Sequence, residues 1–199
     1  MTDSTPYITG IILAGGRSRR MGDNKLTMPL GDKTVLKHVI DRAEPQVDGL
    51  LLSYNEAFGP LSAGDLPVIP DNFPDAGPLG GLEAGLARLE KTGGDYLLSF
   101  AGDVPFVPGN YAVRLFEAIS QGNHTVAVAS SANRLHGVMG LWHVSLLESL
   151  RDYLTSGERR VMTWLERQNR VKVVWEDNPD PFFNVNSPED MDRARRLLD

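Results

Sequence analysis

The chain has 199 residues, of which 41% are hydrophobic and 23% charged, with no cysteine and a formal net charge of -6. This composition fits an ordinary globular protein with one sizeable core, and it excludes disulfides, thiolate metal sites and a cysteine nucleophile. The acidic balance disfavours broad nucleic-acid binding, and the absence of a long apolar run or an export signal predicts a cytoplasmic protein with no membrane or nucleic-acid partner.

Short apolar runs alternate along the chain with segments of helical periodicity. Strands are predicted at residues 8–13, 49–54, 66–69, 96–100, 125–130, 138–142 and 171–175, and helices at residues 34–44, 79–90, 110–120, 144–153, 161–167 and 188–198. Such alternation predicts an α/β fold in which a single doubly wound, mostly parallel sheet carries helices on both faces. Ligands of these sheets lie beyond the carboxyl ends of the strands, so functional residues should follow Leu13, Tyr54, Ile69 and Phe100.

The segment after the first predicted strand combines glycines with positive charge. Gly15 and Gly16 follow the strand directly, and Arg17, Arg20 and Lys25 come just behind them. Adjacent glycines let backbone N–H groups approach an anion that the cations can hold, which indicates a site for the phosphates of a nucleotide. A lone glycine pair would more simply be a turn, but the crowded cations favour the phosphate site. The spacing fits neither a Walker A loop nor a G-x-G-x-x-G loop.

Asp103 is the second candidate for a functional residue. It follows the predicted strand at 96–100 by way of Ala101 and Gly102. Magnesium prefers hard oxygen ligands and is often bound by one or two carboxylates together with substrate phosphates. Alone, Asp103 would be explained as a turn residue before Pro105. Together with the glycine-rich segment, it predicts a metal site at the carboxyl edge of the sheet.

Asp71 follows the predicted strand at 66–69, and a segment rich in proline and glycine leads from it into the helix at 79–90. Its carboxylate could accept hydrogen bonds from a base or a ribose, and the helix start could offer N–H groups to an anion. A turn with an Asx cap explains Asp71 equally well from the residues alone. The helix itself carries leucines at spacings of three and four, which predicts a face buried in the core.

Two segments of the C-terminal half are less specific. Residues 156–161, Ser-Gly-Glu-Arg-Arg-Val, could be a helix cap with a solvated basic face. Asn184 and Asn186 precede Ser187 and Pro188, which predict the N-cap and the first position of the last helix. Asn186 could belong to that helix start alone. The four histidines form no evident constellation.

The residues from Leu13 to Lys25 follow the pattern Leu-Ala-Gly-Gly-x-Ser-x-Arg-Met-Gly-x-x-Lys. This pattern resembles the signature of the MobA-type nucleotidyltransferases, and the resemblance extends over nearly the whole chain. Further segments resemble elements of the same family: Asp71 with Gly77-Pro78-Leu79-x-Gly81, Gly102-Asp103-Val104-Pro105, residues 156–161, and Asn184-Val185-Asn186-Ser187-Pro188.

Two positions depart from the family pattern. Ser53 stands where the family often has an asparagine that contacts nucleotide, and Asn55 lies nearby. His136-Gly137 stands where the family usually has His-Pro. Both lie on the substrate-binding side, so the reaction class is better supported than the choice of substrate.

The resemblance implies a Rossmann-like nucleotidyltransferase fold and transfer of GMP from GTP to the phosphate of molybdopterin, the organic part of the molybdenum cofactor. Pyrophosphate would be released, and Mg²⁺ would be the cofactor. We expect one domain over residues 1–199, with a nucleotide-binding half at about 8–108 and an acceptor-binding half at about 109–199. Transient contact with other proteins of the cofactor pathway or with target enzymes would hand over the labile acceptor.

The implied site residues fall into three groups. Catalysis is assigned to Arg20, Lys25 and Asp103, with Asp103 as the metal ligand. Nucleotide binding is assigned to Leu13, Ala14, Gly15, Gly16, Lys25, Ser53, Asp71, Gly81 and Asp103. Acceptor binding is assigned to Arg159, Arg160, Asn184 and Asn186.

Other functions remain open at this point. A cytidylyltransferase or a sugar-phosphate nucleotidyltransferase would share the fold, although Leu13-Ala14-Gly15-Gly16 favours guanine by resemblance, since cytidylyl relatives more often have Leu-Ala-Ala-Gly. A regulator that binds nucleotide without catalysis is a further alternative, and the presence of both Lys25 and Asp103 argues against it. The sequence offers no distinct surface for a partner-binding module.

Overall fold

A computed structural model describes residues 7–15, 25–55, 61, 63–73 and 75–198. The strands are β1 (Ile8–Leu13), β2 (Pro29–Leu30), β3 (Lys33–Thr34), β4 (Gly49–Ser53), β5 (Val68–Ile69), β6 (Tyr96–Ala101), β7 (Val126–Ser131), β8 (Arg134–His143) and β9 (Arg170–Trp175). The helices are α1 (Val35–Ala43), α2 (Pro78–Thr92), α3 (Tyr111–Gly122), α4 (Leu146–Thr155), α5 (Val161–Leu165) and α6 (Pro188–Arg196). Within these ranges, every helix is too short or too polar to cross a membrane.

Most of the strands form one seven-stranded sheet in the order β5-β4-β1-β6-β8-β7-β9. Strand β1 pairs in parallel with β4 and β6, β4 with β5, and β7 with β9. Strand β8 runs antiparallel to its neighbours β6 and β7. The predicted doubly wound, mostly parallel sheet is therefore confirmed. A separate ribbon of β2 and β3, which the sequence did not predict, precedes α1.

The side chains of β1 show why helices cover both faces of the sheet. Ile12 packs in one cluster with residues of α1 and α3, whereas Ile11 and Leu13 pack in a second cluster with α2 and α4. A strand buried on both faces needs the near-continuous apolar run that the sequence shows. The predicted core face of α2 is also confirmed, since its leucines are at most 1% exposed: Leu79, Leu82, Leu86 and Leu89.

The predicted elements agree with the structure to within two residues at each end, except for β8. This strand was predicted at 138–142, but it begins at Arg134 and pairs with β7 through a turn at Ala132 and Asn133. Both turn residues have positive φ, 48° and 60°, as in the tight turns whose twist suits a hairpin. The predicted strand leaves out Arg134 and His136, which interrupt the apolar run.

Main-chain hydrogen bonds align the carboxyl ends of β1, β4 and β6. The N–H of Ala14 donates to the carbonyl of Ser53 at 3.0 Å, and the N–H of Gly102 donates to the carbonyl of Leu13 at 3.1 Å. The described residues that directly follow these strands therefore lie side by side at one edge of the sheet. The parallel topology brings the described site residues of the first half of the chain, among them Leu13, Ser53 and Asp103, to this edge.

Candidate active site

An ion pair between Lys25 and Asp103 lies at the centre of the candidate site. The Nζ of Lys25 donates to Oδ2 of Asp103 at 2.5 Å and to Oδ1 of Asn186 at 2.6 Å. The side chains of Lys25 and Asp103 are each 18% exposed. Partial burial reduces screening of the pair by salt, while the remaining exposure leaves it open to a ligand. Three segments that are far apart in the sequence meet at this ammonium group.

The segment 184–186 holds Asp103 from a second side. The Nδ2 of Asn184 donates to Oδ1 of Asp103 at 3.2 Å, and the N–H of Val185 donates to the carbonyl of Asp103 at 2.9 Å. Val185 is fully buried, so its backbone is anchored in the core. The structure thus brings Asn184 and Asn186 to the site, and their role in acceptor binding stays a prediction. Ser187 caps α6 as predicted, since its Oγ accepts from the N–H of Asp190 at 3.1 Å.

Asp71 and Ser53 form a second polar pair at the same edge. The Oγ of Ser53 donates to Oδ1 of Asp71 at 2.8 Å. Ser53 is only 2% exposed and commits its proton to Asp71, so its geometry suits orienting that carboxylate better than direct contact with a ligand. Burial raises the pKa of Asp71; the Ser53 hydrogen bond opposes this shift and the nearby Glu83 adds to it.

The glycines assigned to nucleotide binding have different surroundings. A Cβ at Gly81 would overlap Oγ of Ser53 and lie 2.8 Å from Cδ2 of Leu13. Gly81 therefore lets α2 pack closely on β1 and β4, and this packing explains the glycine without a ligand. A Cβ at Gly15 would meet no described atom within 4 Å, so no described side chain packs against this position, and its role in nucleotide binding stays a prediction. Leu13 and Ala14 are buried at the end of β1, and their role in nucleotide binding stays a prediction.

Arg159 and Arg160 lie between α4 and α5 and also differ from each other. The Nη1 of Arg159 donates to the carbonyls of Leu154 and Glu158, both at 2.7 Å, and so stabilises the end of α4. The carbonyl of Arg160 accepts from the hydroxyl of Tyr153 at 2.9 Å, whereas its guanidinium is exposed and has no partner among the described residues. Of the two predicted acceptor-binding arginines, Arg160 has the side chain that is free to bind.

The remaining assigned residues, Gly16 and Arg20, lie outside the described residues, as does Arg17. Their roles in phosphate binding and catalysis stay predictions. The described part of the site contains Lys25, which follows that segment and reaches Asp103 directly.

His136 belongs to a polar cluster that the sequence did not reveal. Its Nε2 lies 2.7 Å from Oγ of Ser131, which in turn donates to Oδ1 of Asp180 at 2.6 Å. The sequence gives no sign of this cluster, because the β7–β8 hairpin that brings Ser131 and His136 together was not predicted.

Similarity to known proteins identifies the family of this chain. The family model of the MobA-like NTP transferase domain matches residues 10–171. A relative from Nitrobacter hamburgensis, named molybdenum cofactor guanylyltransferase, is 39% identical over 99% of this chain and 97% of its own. A relative of the same name from Cereibacter sphaeroides is 40% identical over 95% of this chain and 96% of its own.

A solved structure shares the fold of this chain. The crystal structure of molybdopterin-guanine dinucleotide biosynthesis protein A from Archaeoglobus fulgidus has a TM-score of 0.79 at 20% identity, and the match covers 96% of this chain and 98% of that one. This likeness supports the nucleotidyltransferase fold, and the family match over most of the chain identifies the group. The chain belongs to the MobA-like NTP transferase family.

Proposed function

We propose that this nucleotidyltransferase transfers GMP from GTP to the phosphate of molybdopterin, or of the molybdenum cofactor, and releases pyrophosphate. The observation that carries the proposal is the meeting of Lys25, Asp103 and Asn186 at the carboxyl edge of the sheet. The shared name of the two bacterial relatives, each matched over nearly its full length, supports both the guanine donor and the acceptor.

The reaction needs little covalent chemistry from the protein. An oxygen of the acceptor phosphate attacks the α-phosphorus of GTP, the bond from this phosphorus to the oxygen bridging to the β-phosphate breaks, and pyrophosphate leaves with that electron pair. Because the acceptor phosphate is already an anion, no general base is required. The protein holds both phosphates in line and offsets the charge that develops on the leaving group.

Lys25 would bind the outer phosphates of GTP. Its ammonium is shared between Asp103 and Asn186, so a triphosphate entering beside it would compete with both oxygens. A move of the ammonium to the phosphates would free the Asp103 carboxylate for a metal ion. Lys25 would then contact the phosphates directly, and Asp103 would hold the metal ion.

The oxygens around the Lys25 ammonium fit Mg²⁺ chemically. Oδ2 of Asp103 and Oδ1 of Asn186 are hard oxygen ligands, and both already accept hydrogen bonds from the positively charged Lys25 ammonium. Asp103 would hold the metal together with oxygens of the substrate phosphates. Bound Mg²⁺ would supply positive charge to the triphosphate and so stabilise the departing pyrophosphate.

Asp71 would recognise the base of the nucleotide. Guanine presents adjacent N1–H and N2–H donors, and an ionised carboxylate accepts two such hydrogen bonds. Ser53 occupies Oδ1 of Asp71 from the side of the sheet and thereby fixes the orientation of the carboxylate. Gly15, Ser53 and Asp71 would belong to the nucleotide half, and Arg160, Asn184 and Asn186 to the acceptor half.

A pyrophosphate-release assay with purified protein tests the proposal. Release should require GTP, molybdopterin and Mg²⁺ together, and chelation of the metal should stop it. Release with CTP in place of GTP would identify a cytidylyltransferase. Absence of release with every nucleotide, despite nucleotide binding, would identify a regulator without catalysis.

A further inference from the structure

A buried polar cluster lies at the carboxyl edge of the sheet, apart from the residues assigned to catalysis. Ser131 ends β7, His136 lies near the start of β8, and Asp180 follows β9. Ser131 is 2% exposed and His136 is 8% exposed. The Oγ of Ser131 lies 2.7 Å from Nε2 of His136 and 2.6 Å from Oδ1 of Asp180. Three segments of the acceptor half are thus joined through one hydroxyl group.

The direction of the hydrogen bonds shows what this cluster can do. The hydroxyl of Ser131 has one proton and donates it to Asp180, so the Nε2–H of His136 must donate to Oγ of Ser131. In a nucleophilic triad the histidine lies between the serine and the acid and takes the serine proton. Here the serine lies between the other two, and its proton points at the carboxylate. The cluster therefore orders the chain and does not activate a nucleophile.

The surroundings of His136 favour the neutral ring with a proton on Nε2. Burial lowers the pKa of His136, the Asp180 carboxylate opposes this shift, and the Arg134 guanidinium adds to it. The ring of Phe182 packs on His136 with centroids 5.0 Å apart. A neutral imidazole is thus held as a fixed hydrogen-bond donor to Ser131.

Asp180 connects this cluster with the segment that returns to the active site. Its Oδ1 also accepts from the N–H of Phe182 at 2.9 Å, and its carbonyl accepts from the N–H of Phe183 at 3.3 Å. The next residues, Asn184 and Val185, donate to Asp103. The turn at Asp180 therefore sets the position of the segment that carries the two asparagines.

We infer that His136 is a positioning residue for the acceptor side of the site: through Ser131 and Asp180 it fixes the segment 180–186 so that Asn184 and Asn186 reach Asp103 and Lys25. The kinetic consequence rests on the proposed function, because Asn184 and Asn186 are taken to bind the acceptor. The structural consequence, order in the segment 180–186, does not depend on that function.

Three variants of the full chain test the hydrogen bonds of Ser131 and His136. Ser131→Ala is nearly isosteric and removes both hydrogen bonds of the hydroxyl, and His136→Leu removes the ring donor. His136→Gln places an N–H donor near the position of Nε2 and should retain the wild-type behaviour. His124→Leu is the matched control. It removes a contact of 2.9 Å between His124 and Asn169, which lie just before β7 and β9, at the ends of these strands that are far from the Ser131 cluster.

Hydrogen exchange of backbone amides gives the first measurement. The amide of Val185 should exchange about tenfold faster in Ser131→Ala and in His136→Leu, as expected when one hydrogen bond is lost. The amide of Gly102, which donates to Leu13 on the β1 side of Asp103, should keep its rate. An unchanged Val185 rate in both variants, or an equal rise at Gly102, would overturn the inference.

Steady-state kinetics give the second measurement. In Ser131→Ala and His136→Leu the KM for molybdopterin should rise several-fold while the KM for GTP stays unchanged, and His136→Gln should restore the wild-type KM. A rise of both KM values together would contradict a positioning role. If the wild-type protein transfers no GMP, the proposed function fails, and the exchange rates alone decide whether His136 positions the segment.

Discussion

Nζ of Lys25 lies 2.5 Å from Oδ2 of Asp103, although 78 positions separate the two residues in the chain. The same ammonium reaches Asn186, which is 161 positions away. The carboxyl ends of neighbouring parallel strands and the return of the chain before α6 bring these residues together. The roles proposed for them differ, so each substitution should affect a different measurable quantity.

Replacing Asp103 with alanine should remove most of the turnover and keep the fold. The side chain of Asp103 is partly exposed at a strand end and does not belong to the core. Loss of a group that holds the metal should lower kcat by about 10²- to 10³-fold at saturating Mg²⁺. Asp41→Ala, which breaks a surface contact with Lys33 and Lys37, should leave kcat unchanged. Turnover near the wild-type level in Asp103→Ala would show that the metal assignment is wrong.

Replacing Lys25 with alanine should weaken the binding of GTP much more than the binding of GMP. The positive charge of Lys25 is directed at the outer phosphates, which GMP lacks. We expect a loss of about tenfold to a hundredfold for GTP, as for removal of one charge-assisted hydrogen bond. Calorimetric titration of both nucleotides measures the difference, with Lys37→Ala as the surface control. Equal losses for GTP and GMP would rule out this placement of Lys25.

Asp71→Asn should weaken GTP binding without destabilising the protein at neutral pH. Burial raises the pKa of Asp71, so the folded protein keeps this proton to a higher pH than the unfolded chain. The free energy of unfolding therefore falls as the pH rises from the unfolded pKa through the raised folded pKa. Asparagine cannot ionise, so the variant should lack that decline.

Two measurements check the prediction for Asp71. Thermal unfolding between about pH 3 and pH 8 should show wild type losing stability relative to the variant as the pH rises, since the other titrating groups are common to both proteins. GTP affinity should fall because the amide N–H₂ group faces the donors of guanine. A variant that unfolds more easily at neutral pH and binds GTP normally would contradict both parts.

Asn184→Asp should impair the acceptor half of the reaction selectively. Nδ2 of Asn184 donates to Asp103 at 3.2 Å, so a carboxylate at residue 184 would repel both Asp103 and an incoming acceptor phosphate. The KM for molybdopterin should rise, or kcat should fall, with little change in GTP affinity. Both quantities should be measured on one purified preparation. A collapse of GTP affinity with an unchanged acceptor KM would contradict the division into a nucleotide half and an acceptor half.

The sequence predicts most of the fold because local patterns decide most of the elements. The apolar run of β1 and the leucine stripe of α2 are both buried as predicted. The ribbon of β2 and β3 is too short to show a pattern of alternation. The first half of β8 carries Arg134 and His136, so only pairing with β7 reveals it as a strand.

In the candidate site, too, local sequence motifs identify residues, whereas contacts between distant residues need the structure. Lys25 and Asp103 could be found because each lies in a recognisable motif at a strand end. Their contact with Asn186 depends on the course of the whole chain. The pairing of Ser53 with Asp71, the packing role of Gly81 and the capping role of Arg159 likewise depend on tertiary contacts. Sequence patterns therefore indicate which residues take part more reliably than what each residue contacts.

Transfer of label from the α-phosphate of GTP tests the central claim most directly. Purified protein, molybdopterin, Mg²⁺ and GTP labelled at the α-phosphorus should yield a labelled pterin guanine dinucleotide and unlabelled pyrophosphate in equal amounts. The Asp103→Ala variant should form neither product at a comparable rate. Label that stays in GTP, or that is released as free GMP without reaching the pterin, would contradict the account.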